Sequence, residues 1–393
     1  MSFTAVSSSK QLSMSIQNPP TSFGVKVKKT VFLVGSYLTE PFCKSHELYR
    51  RISIVEALHP KASKVANLGR KFFLLLCAFG FGVIGLLTTL PGIILRGVAA
   101  SIEEKPFIEV KGKSAPKTLP EDRQLSLLSW NVCCVGAGYP ITDGGVTPRK
   151  FRYKEIISKI VSTNADVNCL YEVFDVVTGE YFKKELEKKG YTHFYYNIGP
   201  RAIGVSSALF VASKYEIGDP EFTAFPKNTL VGRTKNSEKG VFAFSVLDNK
   251  NPVVRILSTH PQHSEEPDFP SDAEITGREK QMQIIKKIAD KIIDMPIIIT
   301  GDFNMDDPEL NALNCFQDFD PGDLELDKKT WGGDSWCAQL VNKRESNGEN
   351  LDHILGNRVN LVTKFAFDTG YDDKKFKINA ISDHEPLLAT FSV

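Results

Sequence analysis

An uncharged stretch of 24 residues, "FFLLLCAFGFGVIGLLTTLPGIIL" at 72–95, constrains this chain more than any other feature. As a helix it would extend about 36 Å, enough to cross a hydrocarbon core of roughly 30 Å with some tilt. A soluble core helix is the alternative, but the four glycines and Pro91 are better tolerated in lipid. The stretch begins too far from the N-terminus, and lacks the small-residue cleavage pattern, of a secretory signal. It therefore predicts a membrane segment, to which we assign residues 72–98.

Two arrangements of this segment are compatible with the sequence. A single span would leave the N-terminus in the cytoplasm, because most flanking basic residues precede the segment: Lys61, Lys64, Arg70 and Lys71. A hairpin bent at Pro91–Gly92 would return the chain to the side from which it entered. Both arrangements place the protein at a membrane, and the sequence does not choose between them.

The charge of the chain is divided unevenly. Residues 1–71 carry 11 Lys and Arg against 3 acids, a net charge of +8; because the whole chain carries +1, the remainder carries −7. A mildly acidic C-terminal part is a poor partner for a long phosphate backbone, so nucleic acid is an unfavoured ligand. The seven cysteines are odd in number and contain no CxxC, which argues against a disulfide framework and a zinc cluster.

The sequence predicts four regions. Residues 1–71 form a basic N-terminal region, in which 1–30 are a flexible arm and 31–71 contain either a strand or an interfacial helix. The membrane segment is followed by a linker at 99–122, which is rich in Pro, Lys and Gly. From 123 to 393, short apolar segments alternate with amphipathic helices, the pattern of an α/β domain of packed sheets with outer helices.

Polar side chains recur where the apolar segments of this domain end. In "IIITGDFN" (297–304) an Asp and an Asn lie two residues apart and so leave the strand on the same side. Singly, such residues are more often turn formers or structural histidines. Together they supply the groups that a hard divalent cation and acid–base chemistry require. The set comprises Asn131, Glu172, His260, Asp302, Asn304, Asp352, Asp383 and His384.

The order of short motifs resembles the endonuclease/exonuclease/phosphatase superfamily of Mg²⁺-dependent phosphodiesterases. These motifs are "WNV", "EVF", "STHPQ", "GDFN", "LDHIL" and "SDHEP", and the resemblance covers residues 123–393. "LYEVFD" and "STHPQ" are most similar to the neutral sphingomyelinase and phospholipase C-type branch. The resemblance implies two packed mixed β-sheets flanked by helices in a four-layer sandwich. It also implies Mg²⁺ as cofactor, with Mn²⁺ or a second divalent ion as alternatives.

The chain also departs from other branches of this superfamily. Base-excision nucleases place an Asp two residues after the first Asn, where this chain has Cys133, a poor Mg²⁺ ligand. In "LDHIL" the aromatic residue that usually follows Asp is replaced by His353. Cys133, together with the acidic balance of this part of the chain, favours a lipid phosphodiester over DNA, whereas His353 bears on the local packing.

The resemblance implies that some residues of this set bind the metal ion. Glu172 is the first candidate for the Mg²⁺ ligand, with Asn131 beside it through oxygen or water. Asp383 either serves a second metal position or supports its loop.

The remaining residues receive acid–base and binding roles by the same resemblance. His384 is the general base that deprotonates water, because imidazole titrates near the operating pH. Asp302 is expected to fix its tautomer. Asn304 and His260 are expected to donate hydrogen bonds to phosphoryl oxygens, with leaving-group protonation as the alternative for His260. Asp352 is a supporting carboxylate.

These inferences predict a membrane-anchored, Mg²⁺-dependent phosphodiesterase that hydrolyses the headgroup bond of a phospholipid or sphingomyelin. One alternative is a Mg²⁺-dependent nuclease or phosphatase of the same superfamily. The other is a catalytically silent scaffold anchored in a membrane. The expected partners are a lipid membrane and a phosphodiester lipid; the headgroup and the oligomeric state stay open.

Overall fold

Two β-sheets lie face to face in the C-terminal two-thirds of the chain, and a pair of long helices precedes them. The structure is a computed structural model. It describes residues 22–59, 61–101, 105–136, 146–265, 270–320, 329–332, 348–367, 369 and 380–393.

The N-terminal region is helical. It consists of α1 (Ser22–Arg51), a 3₁₀ turn at Ile52–Ile54, α2 (Val55–Leu58) and α3 (Lys64–Ser101). The prediction of a flexible arm at 1–30 is therefore wrong for residues 22–30, whereas 1–21 lie outside the described residues. The stretch "TVFLVGSYL" is part of α1, so the helical alternative is the correct one for it.

The predicted membrane segment lies within α3, which continues through Pro91 without a reversal. The hairpin bent at Pro91–Gly92 is therefore excluded. Among the described residues, α3 is the one helix that is long and apolar enough to cross a membrane. Most of its central part is exposed, with 11% of the most apolar 18-residue window buried.

The first sheet contains seven strands in the order β1–β4–β5–β3–β2–β12–β11. The strands are β1 (Ile108–Lys111), β2 (Gln124–Asn131), β3 (Val167–Tyr171), β4 (His193–Tyr196), β5 (Phe210–Ser213), β11 (Asn360–Ala366) and β12 (Leu387–Ser392). Strands β2 and β3 are parallel, and the other neighbours are antiparallel.

The second sheet contains five strands in the order β10–β9–β8–β7–β6. The strands are β6 (Glu216–Ala224), β7 (Gly240–Asp248), β8 (Asn251–Thr259), β9 (Ile297–Asp302) and β10 (Asp352–Asn357). Here β8 and β9 form the parallel pair. Since both faces of β9 are covered, its residues are all buried, as the apolar run "IIIT" predicts.

Helices cover the outer faces of both sheets. They are α4 (Arg149–Thr163), α5 (Val176–Glu187), α6 (Asp272–Ala289) and α7 (Asp307–Ala312). One apolar cluster fills the space between the sheets, a second lies under α4 and α5, and a third lies under α6. The predicted sandwich of two mixed sheets flanked by helices is thus confirmed.

Several boundaries differ from those that the sequence predicts. The predicted linker at 99–122 contains β1, a four-residue edge strand that pairs with β4. From the sequence we predict an amphipathic helix over 278–293, but α6 begins six residues earlier, because Ser271 and Glu274 form a reciprocal capping box there. Strands β4, β6 and β11 were not identified from the sequence.

A buried guanidinium fixes the loops that leave β2 and approach β12. Arg152, on α4, is 1% exposed and donates hydrogen bonds to the carbonyl oxygens of Thr147, Val132, Cys133 and Ile381. Four backbone acceptors from three segments therefore share one charged donor, which replaces the water that these carbonyls lose on burial.

We predict that Arg152→Met lowers the free energy of unfolding by about 3 kcal/mol or more, because several buried carbonyls lose their donors. Urea unfolding of the full chain in detergent micelles measures this change. Lys154→Met, on an exposed position of the same helix, is the matched control and should stay close to the parent. Equal stabilities of the two variants would contradict the stabilising role of the Arg152 hydrogen bonds.

Candidate active site

The two sheets meet at the edge where β2, β3 and β9 end. In the first sheet, Asn131 at the end of β2 lies opposite Tyr171 at the end of β3. Glu172 follows Tyr171 in the chain and therefore lies next to Asn131. In the second sheet, Asp352 lies opposite Asp302 across β9 and β10. The Nδ2 atom of Asn131 donates a hydrogen bond of 2.8 Å to Oδ2 of Asp302 and so joins the two edges.

His384 and Asp352 form a buried pair at this junction. Nδ1 of His384 lies 2.7 Å from Oδ2 of Asp352, and the exposed fractions of the two residues are 6% and 1%. Burial alone would lower the pKa of His384, but Asp352 and Asp302 outweigh it and raise that pKa well above its ordinary value. The sequence interpretation gave the orienting role to Asp302. The residue in contact with Nδ1 is instead Asp352.

Asp302 lies on the other side of the imidazole. Its Oδ2 is 3.7 Å from Nε2 of His384 and 3.5 Å from Nε2 of His260, and its Oδ1 accepts a hydrogen bond from the backbone N–H of Asn304. Burial raises the pKa of Asp302, and the neighbouring His384 opposes that rise. Asp302 is therefore shared among several partners.

Two buried nitrogen atoms in the described part of the site have no hydrogen-bond partner. They are Nδ2 of Asn304 and Nδ1 of His260. Among the acceptor atoms in this described part of the site, Oδ1 of Asp352 is likewise buried without a partner. Burial, followed by the positive charge of Lys239, lowers the pKa of His260 well below its ordinary value, so the ring is neutral. Because buried polar atoms are nearly always paired, unpaired ones gathered at one edge indicate room for a polar ligand.

A second pair of carboxylates lies beside Asn131. Burial, and then repulsion from Asp383, raises the pKa of Glu172 to about 7, whereas Lys239 acts in the opposite direction. A divalent cation between these oxygen atoms would remove the repulsion, and carboxylate oxygen is the ligand that Mg²⁺ prefers. Glu172, Asp383 and Asn131 therefore fit a hard cation by their chemistry.

A tighter group of potential metal ligands also occurs. Asp302, Asp352 and His384 each offer one ligand atom, and these atoms lie within 4.8 Å of one another. However, His384 already uses Nδ1 in its contact with Asp352, and the oxygens of Asp302 already accept hydrogen bonds from Asn131 and the backbone of Asn304. We regard this group as acid–base machinery and the Glu172–Asp383 pair as the candidate cation position.

The backbone at this edge adopts strained conformations. The φ angles of Glu172, Asn304 and Cys133 are +63°, +53° and +44°, values that residues with a Cβ rarely adopt. Such conformations persist where the surrounding contacts hold them, and they are concentrated at functional sites. Hydrogen bonds from neighbouring loops hold these backbone conformations in place.

Contacts from neighbouring segments fix these loops. The Nε1 atom of Trp130 donates to the carbonyl of His384, and the hydroxyl of Ser382 donates to the carbonyl of Asn131. The hydroxyl of Thr330 accepts the backbone N–H groups of Leu351 and Asp352. The "TW" pair at 330–331 therefore supports the segment that carries Asp352.

The loop after His260 is held by α6. The side chain of Gln281 accepts the backbone N–H of Gln262, and Nη1 of Arg278 donates to the hydroxyl of Ser264. His263, three residues after His260, has a side chain that is 38% exposed.

Two residues that depart from the family pattern are structural. His353 stacks on Phe303 at 5.0 Å and its Nε2 contacts the carbonyl of Met305, so it packs as the aromatic residue it replaces. Cys133 is fully buried, and burial followed by Asp383 and Glu172 raises the pKa of its thiol well above the ordinary value. It is consequently a neutral thiol and not a Mg²⁺ ligand.

The structure brings all eight sequence-selected residues to one edge, and it adds a ninth, Lys239. This lysine immediately precedes β7 and is 5% exposed. Burial lowers its pKa to about 8, whereas Glu172 and Asp302 oppose that decrease. In the sequence its signal is weak, since a lysine at the start of "KGVFAFSVLD" resembles an ordinary surface residue.

The profile of the Endonuclease/Exonuclease/phosphatase family matches residues 128–384. No curated protein sequence matches the chain significantly.

Solved structures share the fold at low sequence identity. A beta toxin variant from Staphylococcus aureus, solved with bound magnesium ions, is 20% identical, with a TM-score of 0.53 over 68% of this chain and 99% of that one. Sphingomyelinase C from Streptomyces griseocarneus is 17% identical, with a TM-score of 0.51 over 68% and 99%. TDP2 from D. rerio, complexed with a single-strand DNA product, is 16% identical, with a TM-score of 0.51 over 69% and 99%.

The similarities to solved structures establish the fold. The match to the family profile goes further, because it covers well over half of the chain. This protein therefore belongs to the Endonuclease/Exonuclease/phosphatase family.

Proposed function

We propose that this protein is a membrane-associated, Mg²⁺-dependent phosphodiesterase that hydrolyses the headgroup bond of a phospholipid, with sphingomyelin as the first candidate. The observation that carries the proposal is the His384–Asp352 pair at 2.7 Å, which lies beside the unpartnered nitrogens of Asn304 and His260. A base and hydrogen-bond donors at one buried edge are what hydrolysis of a phosphodiester requires.

His384 acts as the base for water. Nδ1 is held by Asp352, which leaves Nε2 to accept a proton as the water oxygen bonds to phosphorus and the ester oxygen leaves. The resulting imidazolium is stabilised by Asp352 and Asp302, the same two charges that raise the pKa of His384. In this scheme Asp352 orients the base, a role that the sequence interpretation gave to Asp302.

Asn304, His260 and Lys239 bind the phosphoryl oxygens. Nδ2 of Asn304 is a donor without a partner, and neutral His260 offers a single N–H. Because its lowered pKa leaves the His260 ring without an extra proton to give to the leaving group, we favour hydrogen bonding over leaving-group protonation for this residue. Lys239 adds a buried positive charge near Glu172 and Asp302.

Glu172 and Asp383, with Asn131 beside them, would hold Mg²⁺. The amide oxygen of Asn131 accepts the N–H of Cys133 and keeps a second lone pair for the ion or its water. When bound, the ion would neutralise charge on the phosphoryl and leaving oxygens. Mn²⁺ or a second divalent ion would satisfy the same ligands.

Three features support a lipid substrate over nucleic acid. Residues 72–393 carry a net charge of −7, which disfavours a phosphate-backbone footprint. Helix α3 has the length and composition of a membrane helix. The solved relatives with this fold include sphingomyelinase C from Streptomyces griseocarneus.

We predict that the full chain releases phosphocholine from sphingomyelin vesicles with Mg²⁺ and not with EDTA. His384→Ala should lower kcat by about 10²- to 10⁴-fold because the general base is lost. His263→Ala, which replaces a half-exposed histidine near the site, is the control and should keep most of the activity. A colorimetric assay of the released phosphocholine measures the activity of the parent protein and of the two variants.

The same preparations should be tested on plasmid DNA. Mg²⁺-dependent nicking without release from sphingomyelin or phosphatidylcholine would assign the protein to the nuclease alternative. Unchanged lipid hydrolysis in His384→Ala would overturn the base assignment.

A pH profile tests the role of Asp352. Because Asp352 raises the pKa of His384, Asp352→Asn should shift the acid limb of kcat to lower pH. The maximal rate should fall by about 10²-fold or more, since the imidazolium loses its main stabilising charge. A decrease in rate with an unmoved acid limb would contradict the pairing as the source of that pKa. The measurement is kcat against pH for the parent and the variant.

Lys239→Met tests the buried cation. We expect kcat to fall by about 10²-fold, as for loss of one group that stabilises transition-state charge. The variant keeps the length and apolar stem of lysine, so the fold should be retained, which circular dichroism checks. Lys280→Met, on an exposed position of α6, is the control. A Lys239→Met variant with parental kcat would remove Lys239 from the mechanism.

A further inference from the structure

Helix α1 lies between α3 and the catalytic domain. Near its start, Nζ of Lys29 is 2.6 Å from the carboxylate of Glu180. At its end, the guanidinium of Arg51 lies 5.1 Å from the ring centre of Phe151. Between these contacts, Phe32 is 3% exposed and belongs to the apolar cluster under α4 and α5. The domain thus binds α1 along most of its length, about 33 Å.

Helix α3 packs antiparallel against a different face of α1. A Cβ atom on Gly92 would lie 2.7 Å from the carbonyl oxygen of Gly35, and one on Gly85 would lie 2.8 Å from the backbone nitrogen of Phe42. Such close approach needs small residues, as between helices in membranes. The buried small residues of α3 recur every seven positions: Ala78, Gly85, Gly92 and Ala99.

The opposite face of α3 carries large apolar side chains that contact nothing in the described chain closely enough to bury them. At 100° per residue, these positions lie on one side of the helix, and each is between 46% and 75% exposed. They are Phe72, Phe79, Val83, Leu86, Leu90 and Ile94. A continuous apolar face of this length marks an interaction surface.

A perpendicular span is incompatible with this packing. The contacts of Gly35 with Gly92 and of Ser45 with Ala78 place the second half of α1 beside the centre of α3. That half of α1 carries five ionisable groups with charge at neutral pH: Glu40, Lys44, Glu47, Arg50 and Arg51. If α3 crossed the bilayer, these charges would enter the hydrocarbon with it, which is strongly unfavourable.

We propose that α3 lies in the plane of an anionic membrane surface, with its outer face in the lipid and without crossing the bilayer. The proposal rests on the membrane association proposed above, but not on the identity of the substrate. Helices that lie in this plane insert their apolar face about 5–10 Å into the boundary between headgroups and acyl chains. Helix α1 then lies between the lipid and the catalytic domain, except at the C-terminal end of α3, where Arg96 contacts the domain directly.

The attached helices contact loops at the active-site edge. Nη2 of Arg96 donates to the carbonyls of Arg201 and Gly204, in the loop after β4. A Cβ atom on Gly136, in the loop after β2, would lie 3.5 Å from the carboxylate of Glu47. Strands β2 and β4 end on the same side of the sheet as β3, so the surface bound by α3 adjoins the edge that carries Asn131 and Glu172.

The charges around α3 favour anionic lipid. Lys61, Lys64 and Arg70 are exposed at the start of the helix. Beside them, α1 and α3 enclose a cleft of about 690 Å³ with mostly apolar walls, including Leu48, Phe73 and Phe81, and with Lys44, Arg51 and Arg70 among its lining residues. An apolar cleft with a basic rim suits an acyl chain that ends in an anionic headgroup.

Depth measurements with spin labels test the proposal. Single cysteines replace Phe72, Phe79, Val83, Leu90 or Ile94, in a full-length background in which Cys43, Cys77, Cys315 and Cys337 are serine. The proteins are bound to vesicles that contain phosphatidylglycerol, and accessibility to oxygen and to a nickel chelate gives the depth of each label. A label at the exposed position of Lys280, on α6, reports the aqueous reference.

An in-plane helix gives similar shallow depths at all five positions. A spanning helix would instead give a profile with its maximum near Val83 and shallow ends at Phe72 and Ile94, and that result would overturn the proposal. Aqueous accessibility at every position would overturn the membrane contact itself. Phosphocholine release from substrate in detergent micelles tests catalysis separately, so failure of this proposal is distinguishable from failure of the proposed function.

Charge substitutions give a second test. The double change Phe79→Glu and Leu86→Glu should lower partitioning to these vesicles at least tenfold, whereas folding is unaffected because both positions are exposed. Ile293→Glu replaces an equally exposed apolar residue that follows α6, and it should bind as the parent does. Replacing phosphatidylglycerol by phosphatidylcholine should weaken the binding of the parent protein to the vesicles. Equal binding to both kinds of vesicle would contradict the preference for anionic lipid.

Discussion

The buried carboxylate of Asp302 is the interaction on which the arrangement of the site depends. At 1% exposure it has lost most of its water, and an ionised carboxylate in that position requires donors or positive charge around it. Asn131 supplies one donor from the other sheet, the backbone of Asn304 supplies another, and His384 lies 3.7 Å away. Removing a partner of such a group typically costs about 3–5 kcal/mol. Both sheet edges are therefore held together by the same groups that form the reactive centre.

The sequence predicted the strands of this centre better than the contacts between them. Short apolar runs followed by Asp, Asn or Glu identified β2, β3 and β9, because burial of a strand and the polar residue after it are local properties of the chain. The partner of His384 was assigned incorrectly, since the choice between Asp302 and Asp352 depends on the register of β9 with β10. Lys239 was missed for the same reason: its burial arises from the opposing sheet edge and not from its neighbours in sequence.

The N-terminal region shows a different limit. The sequence favoured a flexible arm over residues 1–30 because they are rich in serine. Residues 22–51 form α1 instead. They are helical because α1 is covered on one face by α3 and on another by the catalytic domain, and tertiary packing supplies most of the stability of a helix. Likewise, hydropathy identified 72–95 as a membrane segment, but it cannot distinguish a spanning helix from one that lies in the surface. That distinction depends on the charges that α1 brings alongside α3.

The division of charge gains a physical meaning if α3 lies in the membrane plane as proposed. A net charge of +8 in residues 1–71 would be attracted to an anionic surface, whereas the −7 of the remainder would be repelled by it. The two forces together form a torque that keeps the helical pair against the lipid and turns the bulk of the acidic domain toward water. The loops that contact α1 and α3 are then the part of the domain nearest to the headgroups. Binding in the plane raises the effective concentration of lipid at that edge without any contact from the site itself. In that arrangement the groups of the candidate site would act on the phosphodiester, while affinity for the membrane would be provided by a helix that takes no part in the chemistry.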